Sequence, residues 1–394
     1  MKSRYLSGAI AGAVLSGFIV SSASAQTMTT EFMQDYFPGY GPDEFPTDNG
    51  RIPIAERPTN GDGPFMPEFP EVPESPELPP EEENPPGAPP PPSSGIALTD
   101  LPAELATAQD FASSLFSCPQ MDGGPLAEGT CAWTDATLGR TVYDPSTGVP
   151  YNSTIAHFRA GGQVAITDQI YVGGALGVET TSFTSGASDL TGYRARAGAV
   201  VKYVDGPLAA GLSVSLALGE VDSDRQTATG LAVGEYDTFT AAVRAQLAYR
   251  FQFGSVDVVP SIAGSLTYLD ADNFTEGGAG VNNAAQIGSD ETIAGVHAAV
   301  SASTDLVLGP FDTLVRPYVT LGVDWYNDPS FSVVSTVGPN TFTNTLEADD
   351  VVGRISLGAE IFAYHDVVVT VAYDGGFGSN TTSHAGSAKL SLNF

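Results

Sequence analysis

Four histidines, at 157, 297, 365 and 384, supply all the imidazole chemistry available in 394 residues. None lies in a recognisable nucleophile motif, and no Gly-x-Ser-x-Gly elbow accompanies the many serines, so activated-hydroxyl hydrolysis has no support in the sequence. The residual enzyme reading would place His297 or His384 beside acidic neighbours in a loop or cavity; the chain is read as a non-enzyme. "GGALGVE" (173–179) is glycine-rich but opens no helix, so it is not a phosphate loop. Asp270, Asp272 and Glu276 lack EF-hand spacing and read as solvated loop acids. No metal or cofactor follows from these residues. Cys118 and Cys131 stand close together with no histidine nearby, which makes a poor zinc site and, in an exported chain, a local disulfide.

The pattern with chemical content is that of the basic side chains. Arg194, Arg196 and Lys202 fall two or a multiple of two residues apart, which puts them on one face of an extended strand, against Tyr193, Ala195, Ala197, Ala199, Val201 and Tyr203 on the other. "FTAAVRAQLAYRF" sets Arg244, Gln246 and Arg250 against Phe239, Ala241, Val243, Ala245, Leu247, Tyr249 and Phe251. "RPYVTLGVDW" sets Arg316, Tyr318, Thr320 and Asp324 against Val319, Leu321, Val323 and Trp325. Arg159, Arg354 and Lys389 follow the same rule. If the apolar faces meet lipid, each cation on that face would cost roughly 2–4 kcal/mol near the bilayer midplane, so the basic faces line a lumen. Two roles stay open. The cations could attract anions or hold an acidic element carrying Asp100, Glu104 and Asp110, or they could be neutralised by lumenal Asp257, Asp324, Glu360 and Asp374.

The elements that must position these groups begin after an address. Lys2 and Arg4, the apolar "LSGAIAGAVLSGFIV" and the small-residue "SASA" make residues 1–25 a secretory signal peptide. No later stretch has the roughly twenty apolar residues of a membrane helix. The net charge of −31, with only 15% charged residues, argues against nucleic acid as a partner. Residues 26–99, as in "PEFPEVPESPELPPEEENPPGAPPPPSSG", are proline-rich and acidic and cannot bury enough apolar surface to fold. They read as an extended tether, reaching at most roughly 200 Å.

"TDLPAELATAQDFASSLFSC" then predicts the one helix of the mature chain over 100–117, with Asp100 as cap and Pro102 in its first turn. Residues 118–130 form a linker loop. From 131 to 394 about twelve alternating strands follow, with aromatics at the ends of their apolar faces. Short turns at 167–169, 205–207, 253–255 and 364–366 alternate with long polar loops near 143–153, 182–190, 220–235, 269–288 and 326–346. This describes a closed, all-β, antiparallel transmembrane barrel of about twelve strands with a helix in its pore, both barrel ends lying on the side of the short turns.

The closing stretch "YDGGFGSNTTSHAGSAKLSLNF" (373–394) resembles the last two strands of the autotransporter (type V secretion) β-domain. "FQFGSVDVVPSIAGSLTYLDADNFTEGG", with Pro260, Tyr268 and Phe274 to Glu276, resembles its middle. The resemblance covers roughly 131–394. It implies an outer-membrane barrel of a Gram-negative cell, plugged by its helix, that carries residues 26–99 to the surface as a short passenger. It also implies that the final strand, with Ala388, Leu390, Leu392 and Phe394 on one face, is the signal read by the barrel assembly machinery. The implied partners are outer-membrane lipid and that machinery, the protein acting as a monomer. The passenger's own partner is not indicated. The rival reading is a small-solute or anion pore, or an envelope tether, whose proline-rich tail stays in the periplasm.

Overall fold

The computed structural model describes residues 100–120, 124–145, 150–186, 188–309, 313–364 and 366–394. The signal peptide expected over 1–25, the tail over 26–99 and His365 lie outside these residues. A single helix, α1 (Asp100–Ser114), precedes eighteen strands among the described residues. These are β1 (Cys131–Tyr143), β2 (Tyr151–Ala165), β3 (Ile170–Ser185), β4 (Ser188–Asp205), β5 (Leu208–Thr227), β6 (Gly230–Tyr249), β7 (Phe251–Phe253), β8 (Val256–Ala271) and β9 (Phe274–Thr275). They continue with β10 (Ala284–Ile287), β11 (Ser289–Thr304), β12 (Leu306–Leu308), β13 (Thr313–Tyr326), β14 (Ser330–Val337), β15 (Asn340–Glu347), β16 (Val351–Tyr364), β17 (Val367–Phe377) and β18 (Thr381–Asn393).

Twelve of the strands, β1 to β6, β8, β11, β13, β16, β17 and β18, pair with their neighbours in chain order. The sheet closes where β18 pairs antiparallel with β1, Cys131 opposite Asn393 and Tyr143 opposite Thr381. Closure removes the unpaired strand edges that a bilayer would leave unsatisfied. Along each strand, exposed apolar residues alternate with buried ones: Tyr193, Leu176, Leu218, Ile262 and Leu321 are exposed, while Arg194, Arg196, Ser215, Ala263 and Thr267 are buried. The outward set is the lipid face and the inward set is the lumen. No helix among the described residues is long and apolar enough to cross a membrane.

The two ends differ, though not in the way the loop lengths predict. The stretches near 182–190 and 220–235 are not loops. β3, β4, β5 and β6 run 16, 18, 20 and 20 residues, and here β3 meets β4 and β5 meets β6 in tight turns. Gly186 (φ +58°) allows the first of these turns and Gly230 (φ +138°) the second. The polar residues there, such as Glu220, Asp222 and Glu235, sit on the outward face of strands that continue past the apolar band, so composition mimics a loop. The stretches 269–288 and 326–346 are likewise structured. They supply β9, β10, β14 and β15, which form a separate four-stranded sheet in the order β15-β14-β10-β9 at the loop end.

Candidate functional site

The barrel places its inward side chains on both walls of a lumen, and α1 is held against one of them. At its first turn, Asp100 pairs with Arg194 of β4, so the residue expected as a cap turns its carboxylate across the lumen. Arg194 Nε also lies 2.7 Å from Glu104 Oε2. Arg196 donates to Glu104 at 2.8 Å, to Thr107 Oγ1 at 2.6 Å and to Glu179 of β3 at 3.1 Å. Thr240 of β6 donates to the other Glu104 oxygen at 2.6 Å. All these groups are buried, and each cation meets more than one acceptor, which offsets the cost of taking charges out of water.

Lower on the helix, Arg159 of β2 donates to Asp110 at 2.5 Å, Gln109 to Thr267 of β8 at 2.7 Å, and Ser213 of β5 to the Ala112 carbonyl at 3.2 Å. Phe111, fully buried, lies 5.5 Å from the Arg159 guanidinium carbon and fits a groove made by small residues. A Cβ on Gly198 would come within 2.7 Å of the Phe111 ring, and one on Gly177 within 3.3 Å, so the groove exists because these positions lack side chains. α1 ends at Ser114, three residues short of the expected 117. The hydroxyls of Ser113 and Ser114 bond to the carbonyls of Asp110 and Phe111, and the Phe116 amide bonds to Ser113, tightening the last turn.

Each end of α1 is sealed differently. Leu101 and Leu105 join Tyr143, Tyr151, Phe183, Leu190, Tyr236, Phe274 and Phe331 in a buried cluster at the loop end. Tyr143 stacks on Tyr151 at 4.9 Å, and Tyr236 on Phe274 at 5.0 Å. At the other end Phe111 and Leu115 pack with Cys118, Cys131, Trp133, Ala175 and Val200. Cys118 and Cys131 form a disulfide, with Cα atoms 6.4 Å apart, joining the chain just after α1 to the first residue of β1. Lys389 donates to the Ser117 carbonyl at 2.7 Å and lies 4.4 Å from the Trp133 ring centre. Lys202 pairs at 2.6 Å with Glu128 of the linker, whose carboxyl burial holds above its ordinary range despite that cation.

The sequence left two roles open for the basic residues, and the lumen divides them by position. Arg159, Arg194 and Arg196 go to the acids of α1. Arg250 pairs with Asp257 at 3.4 Å, Arg354 with Asp324 at 2.6 Å, and Arg316 with Asp305 at 2.6 Å and Glu360 at 3.3 Å. Lys202 and Lys389 hold the linker. Arg244 is buried and makes no ion pair among the described residues. It borders a cavity of about 480 Å³ that runs between α1 and the opposite wall, lined also by Asp135, His297, Asp324, Ser356 and Asp374. There His297 Nδ1 and Asp324 Oδ1 are 2.5 Å apart.

Sequence reasoning missed a second latch. Arg225, at an inward position of β5, donates to Glu276 and to the Asn282 carbonyl, and Glu276 also accepts from the Ala284 amide. Glu276 is therefore buried and ion-paired, not a solvated loop acid. The alternation of β5 continued through Val221, Ser223 and Arg225 could have found one partner. Nothing local marks the other.

Among curated proteins, none matches the sequence. The sequence model of the autotransporter beta-domain matches residues 132–374. Among solved structures, the chain is similar to the translocator domain of autotransporter NalP from Neisseria meningitidis, at 12% identity and a TM-score of 0.61, covering 76% of this chain and 99% of that one. It is also similar to the beta domain of the Bordetella autotransporter BrkA, at 14% identity and a TM-score of 0.50, covering 68% and 100%. At such identities the structures attest the fold, while the family match spans well over half of the chain. With a closed twelve-stranded barrel, apolar outside and latched to an internal helix, the chain belongs to the autotransporter β-domain family and is an outer-membrane translocator barrel.

Proposed function

We propose that this barrel displays residues 26–99 at the cell surface as a short passenger that stays attached through α1. The observation carrying the reading is the direction of the helix. Its first turn lies in the aromatic cluster at the loop end and its last turn lies beside Cys131 at the short-turn end. Longer loops face outward in outer-membrane barrels, so the chain preceding Asp100 leaves on the extracellular side.

The disulfide sets how far the chain can follow. Without it, the thirteen residue steps from Cys118 to Cys131 could stretch to roughly 45 Å, longer than the barrel is tall. With it, Cys118 stays 6.4 Å from the start of β1, and α1 cannot slide out of the pore. In this reading Arg159, Arg194 and Arg196 hold the plug, and Lys202, Arg316 and Lys389 hold the linker behind it. Before lipid covers it, the outward face of β18, with Ala388, Leu390, Leu392 and Phe394, is engaged by the barrel assembly machinery. The barrel works as a monomer and performs no catalysis. The test is protease accessibility on intact cells with a tag beside Gln26. Loss of the tag supports display, and protection until the outer membrane is permeabilised refutes it.

One observation favours the pore as a second reading: the cavity beside α1, bordered by Arg244, which makes no ion pair among the described residues. Steady anion current through the full-length protein, its helix still latched, would support that function.

A further inference from the structure

Ten of the eleven basic side chains among the described residues turn inward or pair with acids; the other, Arg140, is exposed on the opposite face of β1. Its neighbours two residues away, Leu138 and Val142, are exposed at 68% and 37%, whereas Trp133 and Asp135 of the other parity are buried. Nine residues separate it from Cys131, which at about 3.3 Å per residue and a tilt near 40° lifts it roughly 23 Å above the start of the strand. The apolar band of such a barrel is about 25 Å tall, so Arg140 stands at its outer rim. At that height a guanidinium has little cost of burial in lipid and meets the headgroups instead.

Arg140 has a partner of the right kind. Directly opposite it across the seam that closes the barrel is His384 of β18. Side chains at directly opposed positions share a face, with Cβ atoms about 5 Å apart. The His384 ring lies 6.0 Å from both Tyr373 and Phe377 of β17, and its Nδ1 is 2.6 Å from the Tyr373 hydroxyl. When that hydroxyl donates to Nδ1, the ring proton sits on Nε2 and is free to donate outward. Asn152 of β2 accepts from Arg140 Nη2 at 3.3 Å and so fixes the guanidinium from the other side. The outward faces of β1, β2, β17 and β18 carry no aspartate or glutamate. The far wall, where Glu220, Asp222 and Glu235 are exposed on β5 and β6, would repel an anion.

We propose that Arg140 and His384 form a docking site, spanning the first and last strands, for the phosphate of an outer-leaflet glycolipid. The guanidinium and the imidazole are two donors at directly opposed positions of one outward face, at headgroup depth, and Leu138 and Phe377 offer apolar surface beside them for an acyl chain. A phosphate held by both strands bridges the seam at its outer edge.

Full-length protein, stripped of lipid in detergent, is mixed with lipid A bearing two phosphates or with its dephosphorylated form, and bound lipid is counted by native mass spectrometry. The wild-type protein should retain the phosphorylated lipid roughly tenfold better. The double variant Arg140→Gln with His384→Gln should lose that preference, and Arg140→Lys should keep part of it. Heat-modifiable migration on gels verifies that each variant is a closed barrel. Equal binding of the two lipids by wild-type protein, or an undiminished preference in the folded double variant, overturns the proposal.

Discussion

The lumen has two walls built from the same alternation and used in opposite ways. On the wall that begins with β2 to β4, Arg159, Arg194 and Arg196 find their counter-ions on α1, and glycines open a groove for Phe111. Along β11 to β18, Arg316 and Arg354 find theirs on the barrel itself, and a cavity of about 480 Å³ is left beside the helix. A wall whose charges are satisfied internally has no electrostatic reason to bind the plug. The helix is therefore held from one side, and its position depends on a small number of groups.

The sharpest way to break this asymmetry is Glu104→Ala. It strips Arg194, Arg196 and Thr240 of a shared partner in a buried site, and losing one member of such a set costs about 3–5 kcal/mol. Planar-bilayer recordings of the full-length variant should show an open pore. Asp374→Ala, on the opposite wall and bordering the cavity, should leave the helix seated and the pore as closed as in the wild type.

Next in size is the covalent stop. Cys118→Ser with Cys131→Ser removes a ring worth about 3 kcal/mol by chain entropy, while every contact of α1 with β4 remains. The helix should then leave and return, giving intermittent current that reductant also produces in the wild-type protein. Unchanged current in both would mean that the wall contacts alone retain the plug.

A smaller effect is expected from shape. Gly198→Ala places a methyl 2.7 Å from Phe111 and 3.0 Å from Leu115, and overpacking of this kind costs about 1–3 kcal/mol. Helix protection in hydrogen exchange should fall accordingly. Ser356→Leu adds bulk to the open wall, where it has the cavity to enter, and should leave that protection unchanged while narrowing any residual leak.

The same contrast explains what the sequence could reveal. Alternation is a local property, so the inward faces of Arg194, Arg244 and Arg316 were legible, as were the twelve strands and the helix before them. Partner choice is not local. Arg194 and Arg354 have the same inward phase, yet one reaches α1, some ninety positions earlier, and the other Asp324 on the next strand of the sheet. Loop ends were misread because strands that outrun the bilayer change their outward residues from apolar to acidic while keeping their period, as at Glu220 and Asp222. Arg140 escaped because a lone cation at the rim of an apolar face breaks no rule of alternation.

The smallest expected effect concerns the mouth above the open wall. Over the β2 to β8 wall the mouth is closed by aromatic packing; beside β16 to β18 it is held by one carboxylate. Asp349 accepts from the Ser379 hydroxyl at 2.5 Å and from the amides of Asn380 and Thr381, both at 2.9 Å. Burial works against the charge, but these hydrogen bonds hold its pKa below the ordinary carboxylate value. A depressed folded value means the carboxylate stabilises the folded loop above its unfolded pKa, near 3.9, and loses that contribution as pH falls through the lower folded one. Proteolysis within 327–350 should therefore quicken a few-fold in acid below about pH 4 and, in Asp349→Asn, should be fast already at pH 7. The aromatic mouth around Phe274, held by packing and by the Arg225–Glu276 ion pair and not by Asp349, should resist in Asp349→Asn at pH 7 as it does in the wild type. If both mouths loosen together, the two walls are not independent at the loop end, and the asymmetry is confined to the lumen.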